Sequence, residues 1–238
     1  MEINIANLCP SLFNHYGDAG NILSLKWRLE KRGIKANITD CNDLENTDFK
    51  NTDILYIGGA TEKNIASVYD SICKIKDKIR DYAQNGGVIL AVCTGFEMLG
   101  KSFETENSKY DGLGILDITS KKGKKRLIGN IVIRSEELGF DIVGFENHIG
   151  RMNLSGNTPL GKVLCGFGND DSGSVEGVIS KNIIGTYSHG PIIPKNPSLA
   201  DYIIETALER KYGKCTLTPL DDEAELKAHN YVKNTYLK

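Results

Sequence analysis

The chain has 238 residues, a length that suits one ordinary α/β domain. Hydrophobic residues make up 40% and charged residues 25% of the chain, which is typical of a packed globular core and excludes a disordered chain. The 29 basic and 31 acidic residues leave a net charge of −2, so no overall field favours binding to nucleic acid or to an anionic membrane.

The first half of the chain alternates short apolar strands with amphipathic helices. Helical spacing predicts one helix that begins at Asp18 as its cap and ends at Gly33, and a longer one that ends at residues 85–87. The predicted strands are residues 2–8, 34–39, 53–57 and 88–92. Nearly all-apolar strands between helices are typical of a parallel sheet covered on both faces, so we predict an α/β fold with a central, mostly parallel sheet.

From about Gly112 the pattern changes to strands joined by turns. The predicted strands of this part are residues 115–119, 126–134, 141–146, 162–166, 175–180 and 182–187. Helices are predicted over residues 198–211 and from residue 221 onward. Because no repeat or long linker interrupts the chain, we predict a single domain over residues 1–238 with a β-rich second half, to which the terminal helices, about 198–238, belong.

The cysteines and the N-terminus indicate the cellular compartment. The six cysteines contain no Cys-x-x-Cys pair, so we expect reduced thiols and no metal site. The longest apolar run, residues 88–93, is too short to cross a bilayer, and residues 1–4 do not resemble the start of a secretory signal. We therefore expect a cytoplasmic protein with no membrane insertion.

The most informative stretch is residues 88–100, where a buried strand ends at Cys93 and Gly95 follows at once. A sharp turn from strand to helix presents its corner residue at the carboxyl end of the sheet, where open α/β sheets bind ligands. A helix N-terminus also favours a thiolate, and the N–H of Thr94 can point at a developing oxyanion. Cys93 is therefore predicted to be a nucleophile; the alternative is a buried structural cysteine.

A thiolate nucleophile usually needs a base, and the chain has four histidines. His189 follows a predicted strand and can lie on the same edge as Cys93, which favours it modestly over His148. His229 lies on a polar terminal helix and is expected to be solvated, and His15, in the first loop, cannot be ranked by spacing.

Four segments resemble one family. Residues 92–100 resemble the nucleophile elbow of class I glutamine amidotransferases, and residues 186–191 resemble the histidine segment of their cobyric-acid-synthase-like branch. Residues 16–22 and 144–151 are similar to the glutamine amidotransferase subunits of lipid II isoglutaminyl synthases. The resemblance implies a class I glutamine amidotransferase domain that hydrolyses L-glutamine to glutamate and ammonia.

The resemblance also implies the roles of the site residues. Cys93 would form a thioester with glutamine while His189 shuttles the proton. The oxyanion donors would be the N–H of Thr94 and an amide after the third strand, at Gly59 or Ala60, although these residues are equally typical of a plain strand-end turn.

Arg126 would bind the glutamine α-carboxylate, because a guanidinium matches a carboxylate with two parallel hydrogen bonds. Composition alone favours another interpretation, in which Arg126 ends a solvated basic loop over residues 121–126. No aromatic residue interrupts this run, which makes nucleic-acid binding the weakest interpretation.

The same resemblance implies a heterodimer. Ammonia would pass to a Mur-ligase-like partner that uses ATP and Mg to amidate D-glutamate of the lipid II stem peptide to D-isoglutamine, for peptidoglycan synthesis. That substrate would bring the complex near the inner face of the membrane. Residues 156–163 resemble a phosphate loop, but Val163 replaces its Ser or Thr, so we interpret them as a turn and expect no cofactor in this chain.

Three residues depart from class I amidotransferases. Many members carry Gln at the position of Glu97, and a carboxylate near Cys93 would oppose ionisation of the thiol. Pro191 stands where most members carry an acid, and in the isoglutaminyl synthases the ligase partner is thought to supply it. Ala91 replaces a common Gly. The alternatives are another hydrolase with a cysteine elbow, DJ-1/PfpI-like for example, or a non-catalytic regulatory subunit of the same fold.

Overall fold

The computed structural model describes residues 1–237, which form two sheets and their covering helices. The strands are β1 (Glu2–Leu8), β2 (Lys35–Cys41), β3 (Ile54–Ile57), β4 (Val88–Val92), β5 (Ser102–Glu104), β6 (Lys109–Asp111), β7 (Thr119–Ser135), β8 (Phe140–Asn153), β9 (Gly161–Cys165), β10 (Val175–Glu176), β11 (Val178–Ser180), β12 (Ile183–Thr186) and β13 (Ser188–His189). The α-helices are α1 (Ala19–Lys31), α2 (Glu62–Gln84), α3 (Thr94–Met98), α4 (Pro197–Tyr212) and α5 (Glu223–Tyr236).

The central sheet has six strands in the order β11-β12-β4-β3-β1-β2, all parallel except β11. Successive residues of β3 and β4 point to opposite faces, so Leu55 and Ile57 pack with α2 while Ile54 and Tyr56 pack with α1 and α4. Both faces are therefore covered by helices. The predicted α/β fold, with a mostly parallel sheet and helices on both sides, is confirmed.

The second sheet is formed by the β-rich part of the chain, as predicted. Its long strands β7 and β8 form an antiparallel pair, and β13 pairs with β8. The chain passes from β12 in the central sheet directly into β13 in the second sheet. His189 therefore lies where the two sheets meet, opposite Phe145 of β8.

Two predicted strands need correction, and two short strands were not predicted. Residues 115–118 are not a strand, and only Thr119 of the predicted segment belongs to one, as the first residue of β7: the backbone before it loops around the end of α3, where the N–H groups of Ile115 and Leu116 donate to the Leu99 carbonyl. The apolar pattern reflects burial of a loop rather than a sheet face. The predicted strand 175–180 is split at Gly177, whose φ of +64° interrupts it. Strands β5 and β6 were not predicted because each has only three residues.

The terminal helix α5 is fastened to α1 by an ion cluster. The guanidinium of Arg28, which is 1% exposed, donates to the carboxylates of Asp201 and Asp222, and Arg32 also donates to Asp201. On α5 itself, His229 is buried and its Nδ1 lies 3.0 Å from the Lys195 carbonyl oxygen. The expectation that His229 is solvated is therefore wrong, because this helix packs on the domain.

Two other segments bear on the expected partners. Residues 161–163, the end of the phosphate-loop-like segment, lie in β9, and Lys162 pairs with Glu136 at 2.7 Å. Within residues 1–237, no helix combines the length and the apolar character needed to cross a membrane.

We predict that Arg28→Ala lowers the free energy of unfolding by about 3 kcal/mol, because it leaves the partly buried Asp222 without its cation and removes one of the two cations of Asp201. Denaturant unfolding measures this change. Limited proteolysis should then cut between α4 and α5 faster than in the wild type. Lys26→Ala, which removes an exposed lysine of the same helix, is the control and should leave both measurements unchanged. Equal proteolysis of both variants would contradict a role of Arg28 in holding α5.

Candidate active site

Cys93 occupies a strained corner between β4 and α3. Its φ of +52° and ψ of −114° are unusual for a residue with a side chain. The N–H of Cys93 donates to the Thr186 carbonyl at 2.8 Å, which fixes the corner against the end of β12. Gly95 is required sterically, because a Cβ there would lie 2.4 Å from the Ile57 carbonyl oxygen. The Cys-x-Gly spacing thus lets the turn pack tightly against the end of β3.

The fold brings Cys93 and His189 together. Because β12 pairs with β4, the segments after these two strands leave the sheet at the same edge. The side chains of both residues lie against Gly59, which follows β3. A Cβ on Gly59 would lie 3.1 Å from His189 Cε1 and 3.3 Å from Cys93 Cβ. His189 Nε2 is buried without a hydrogen-bond partner in the described part of the chain, so this nitrogen is free to take a proton from Cys93.

The charge state of His189 favours this exchange. Burial disfavours the imidazolium, but the neighbouring Cys93 and the carboxylate of Asp18 outweigh it and raise the pKa of His189 to about 10. The α3 dipole contributes little, since this helix has only five residues. The helix N-terminus therefore contributes less to the activation of Cys93 than we expected. The adjacent imidazolium of His189 activates the thiol instead.

Asp18 belongs to this site, although the sequence was interpreted as a helix cap there. It does precede α1, but its side chain makes no capping bond; the N–H of Ala19 donates to Asn14 Oδ1 instead. Asp18 Oδ1 lies 3.4 Å from His189 Nδ1, and both side chains are fully buried. One feature of the sequence could have indicated this role: Asp18 lies in the loop after β1, at the carboxyl edge of the sheet, where the other site residues also lie.

The predicted oxyanion donors need one correction. The N–H of Gly59 donates to Asp18 Oδ2 at 2.8 Å, so it is occupied. The N–H of Thr94 lies in the first turn of α3, where a helix offers no acceptor. The Thr94 hydroxyl donates to the Ala60 carbonyl at 2.9 Å and accepts a long hydrogen bond of 3.4 Å from the Ala60 N–H, which an oxyanion would have to replace. Thr94 and Ala60 are thus held side by side as the remaining candidates.

A cavity of about 240 Å³ opens beside Cys93. It is lined by residues from α2, the elbow, the loop after β5 and the two long strands: His15, Ala60, Thr61, Glu62, Ile65, Cys93, Thr94, Glu97, Glu104, Thr105, Glu106, Arg126, His148, Ile149 and Gly150. A larger cavity of about 560 Å³, beside residues 47–50, has neither cysteine nor histidine in its lining.

Arg126 lies in β7 and lines the cavity that Cys93 opens into; the basic segment is solvent-exposed, as the alternative interpretation expects, but it belongs to a strand whose pairing with β8 is irregular between Lys122 and Leu127. Its Nε and Nη2 donate to the side-chain and backbone oxygens of Asn147, at 3.0 and 3.1 Å. Nη1 lies 3.5 Å from Glu106. Asn147 thus fixes the plane of the guanidinium and leaves Nη1 for an anionic group in the cavity.

Glu97 points into the core, and its Oε1 accepts hydrogen bonds from Ser120 at 2.8 Å and Tyr187 at 2.9 Å. Burial outweighs these bonds and raises the pKa of Glu97 to about 7. A carboxyl that is largely neutral below this pH opposes ionisation of Cys93 little.

His148 does not take the place of His189. Its ring stacks on Tyr187 at 3.8 Å, and Nδ1 lies 2.9 Å from the Gly150 carbonyl oxygen. Burial lowers the pKa of His148. The ring is thus part of the packed wall of the cavity, and the structure brings His189, rather than its competitor, to Cys93.

Solved structures with this fold are glutamine amidotransferases. One glutamine amidotransferase superposes with a TM-score of 0.59 at 17% identity, over 85% of this chain and 98% of that chain. A glutamine amidotransferase from Thermotoga maritima gives 0.55 at 12% identity, over 98% of this chain and 94% of that chain. At these identities the likeness establishes the fold. Fold and cysteine elbow together define a class I glutamine amidotransferase domain.

The sequence matches the CobB/CobQ-like glutamine amidotransferase domain over residues 4–197. It is 40% identical over 228 residues to the lipid II isoglutaminyl synthase (glutamine-hydrolyzing) subunit GatD of Staphylococcus aureus, covering 95% of this chain and 93% of that one. The GatD subunit of Streptococcus pneumoniae is 39% identical over 90% of this chain and 83% of its own. The chain belongs to the CobB/CobQ-like glutamine amidotransferase family and, within it, to the family of GatD subunits, which confirms the resemblance.

The buried Glu97 predicts a specific pH dependence of stability. Its folded-state pKa of about 7 lies above its ordinary value of 4.5, so the native state binds the extra proton between these values and the free energy of unfolding falls as the pH rises through them. In Glu97→Gln this contribution, roughly 3 kcal/mol, disappears. Denaturant unfolding at pH 5 and pH 8 measures it, with the exposed Glu30→Gln as control; parallel curves for Glu97→Gln and wild type would contradict it.

Proposed function

We propose that this chain is the glutamine-hydrolysing subunit of a lipid II isoglutaminyl synthase and supplies ammonia for amidation of lipid II. The observation that carries the proposal is the meeting of Cys93 and His189 around Gly59, beside a cavity that also contains Arg126. The family membership supports the same reaction, since both GatD relatives are named as glutamine-hydrolysing subunits.

In the proposed reaction, the proton of Cys93 is already held on His189 Nε2, and the thiolate sulfur attacks the side-chain carbonyl carbon of glutamine. The tetrahedral oxyanion accepts hydrogen bonds from the N–H groups of Thr94 and Ala60. Collapse of this intermediate breaks the C–N bond, and His189 returns the proton to the departing ammonia. Water then attacks the thioester, its proton passes through His189 to the thiol, and glutamate leaves.

Arg126 is proposed to bind the α-carboxylate of glutamine. Its guanidinium is already oriented by Asn147 and lines the same cavity as Cys93. The nearby Glu106 carboxylate would compete for Nη1 in the free chain and release it when the substrate binds.

The partner is proposed to be a Mur-ligase-like subunit that binds ATP and Mg and activates the α-carboxyl of D-glutamate in the stem peptide. The relatives are named as subunits, which supports a partner. The placement of residues 161–163 in β9, with Lys162 paired to Glu136, supports an ATP site outside this chain. We propose that the complex works in the cytoplasm, at the inner membrane face where the lipid-linked substrate lies.

The direct test measures glutamate and ammonia released from glutamine by the complex captured through this tagged chain. The wild type should turn over glutamine, and Cys93→Ala should lose at least 10³-fold in kcat, because the covalent route is removed. Cys73→Ala, which changes an exposed cysteine on α2, is the matched control and should keep wild-type rates. A fully active Cys93→Ala complex, or a wild-type complex without glutaminase activity, would refute the proposal.

Trapping with a glutamine-like electrophile distinguishes an amidotransferase from a general hydrolase. Mass spectrometry should find the label on Cys93, and free glutamine should protect against it. Capture of an ATP-dependent ligase with this chain would support the proposed partner, and its absence from an active complex would contradict that partner.

Arg126→Lys is expected to raise the KM for glutamine about 10- to 100-fold, since a lysine cannot keep the two bonds to Asn147 that orient the guanidinium toward the α-carboxylate. The kcat should change less than threefold, because Arg126 does not touch the reacting atoms. Steady-state kinetics separates the two constants. Arg134→Lys, at an exposed arginine of the same strand paired with Asp141, is the control. A fall in kcat at unchanged KM would contradict carboxylate binding.

A further inference from the structure

The loop after β1 makes a polar contact with the second sheet through one tyrosine. The Tyr16 hydroxyl accepts a hydrogen bond of 2.7 Å from Asn147 Nδ2 in β8, 131 residues away in the chain. Tyr16 is 46% exposed, so burial alone does not hold its side chain. The contact joins a loop of the central sheet to a long strand of the second sheet, and the proposed reaction gives it no task.

The backbone of Tyr16 is strained. Its φ of +57° and ψ of +24° lie in the left-handed region, which is unusual for a bulky residue. Such a conformation persists where the surrounding contacts hold it, and it is typical of ligand sites. The tyrosine ring packs against His15 at 3.9 Å and, edge to face, against His189 at 5.2 Å. These contacts fix the direction in which the hydroxyl points.

The contact continues from Asn147 to Arg126. Asn147 Oδ1 accepts from Arg126 Nε at 3.0 Å, and the Asn147 carbonyl accepts from Nη2 at 3.1 Å. Both ends of the Asn147 side-chain amide are therefore engaged, the nitrogen by Tyr16 and the oxygen by Arg126. Tyr16, Asn147 and Arg126 form one continuous chain of hydrogen bonds, which we call the Tyr16 bridge.

Arg126 needs such support because the fold around it supplies little. It lies where the register between β7 and β8 shifts, between Lys122 and Leu127, and its side chain is 39% exposed. A long, half-exposed side chain loses rotamer freedom when it binds a ligand. Holding the guanidinium in place beforehand reduces this cost and so raises affinity.

We propose that Tyr16 is a positioning residue of the glutamine site: its hydroxyl holds Asn147, and Asn147 holds the Arg126 guanidinium in the orientation that receives the α-carboxylate. The inference rests on the proposed role of Arg126 in binding glutamine. The loop after β1 thereby sets the affinity for glutamine, while the covalent step at Cys93 does not depend on the Tyr16 hydroxyl.

Two other contacts must be separated from this role. Glu106 also faces Arg126, at 3.5 Å from Nη1, but it is more than half exposed and opposes the substrate carboxylate instead of orienting the guanidinium. The Tyr16 ring touches His189, so removal of the whole side chain would disturb the catalytic histidine as well. Phenylalanine keeps the ring and removes the hydroxyl alone.

Tyr16→Phe in the complex captured through this chain is expected to raise the KM for glutamine about 3- to 10-fold, the usual effect of one lost hydrogen bond, with kcat changed less than twofold. Tyr236→Phe is the matched control. The Tyr236 hydroxyl accepts from Asn130 Nδ2 at 2.8 Å, and Tyr236 is 43% exposed. This control should keep both constants. A fall in kcat at unchanged KM would overturn the proposal and assign Tyr16 to His189 instead.

A double-mutant cycle tests the path through Asn147. Asn147→Ala alone should raise the KM for glutamine about 10-fold. In the Asn147→Ala background, Tyr16→Phe should change KM less than twofold, because the bridge is already broken. Effects of the two substitutions that simply multiply would show that Tyr16 acts independently of Asn147, and the proposed path would be wrong.

A readout that does not depend on activity is hydrogen exchange of the Arg126 Nε–H, followed by NMR of the isotope-labelled chain in the complex. Arg126→Lys assigns the signal. Tyr16→Phe should make this proton exchange with water several-fold faster, and Tyr236→Phe should leave it unchanged. Equal exchange in Tyr16→Phe and the wild type would overturn the positioning role.

The two proposals fail differently. If the wild-type complex does not hydrolyse glutamine, the proposed function fails, and the exchange of the Arg126 Nε–H still tests the Tyr16 bridge. If Cys93→Ala abolishes activity but Tyr16→Phe leaves KM unchanged, the proposed function stands and the positioning role fails. If Tyr16→Phe does not fold, the Asn147 side-chain NH₂ signal of the wild type decides: fast exchange of both protons would show that Tyr16 does not hold Asn147.

Discussion

The site depends on the close approach of three strand ends, which is possible because Gly59 has no Cβ. Strands β12, β4 and β3 are neighbours, and the segments that follow them leave the sheet at the same edge. A Cβ at Gly59 would lie 3.1 to 3.3 Å from atoms of Asp18, His189 and Cys93 at once, which is closer than ordinary van der Waals contact. Interior packing leaves no free volume for such a group, so the absent Cβ is what allows Cys93, His189 and Asp18 to share one place.

The electrostatics of the site follow from burial more than from helix dipoles. With α3 limited to five residues, the dipole behind Cys93 is small, and the strongest local effect is the buried His189 between a thiol and a carboxylate. On the other side of the elbow, Glu97 is buried too, but its raised pKa reduces the negative charge near the nucleophile. Burial thus acts in different ways on the two sides of the elbow: it places Asp18 beside the imidazole, and it raises the pKa of Glu97.

Long, periodic elements were predictable and short or irregular ones were not. Strands β1 and β4 have the predicted bounds because apolar runs between turn residues determine them. Residues 115–118 also carry apolar side chains, yet they form a loop from which Leu116 and Ile118 enter the core. Local sequence cannot distinguish a buried loop from a strand, because both bury alternate side chains. Whether a segment forms a strand depends on a partner strand that is distant in the chain.

By itself, the sequence determined the parallel sheet, the strand-to-helix corner at Cys93 and the preference for His189, since each depends on residues close together in the chain. The tertiary structure alone decided that Gly59 gives its N–H to Asp18, and that Asp18 turns to His189 instead of capping α1. The physical reason is that a carboxylate takes the best donors within reach, and which donors those are depends on how distant strand ends and α1 pack together.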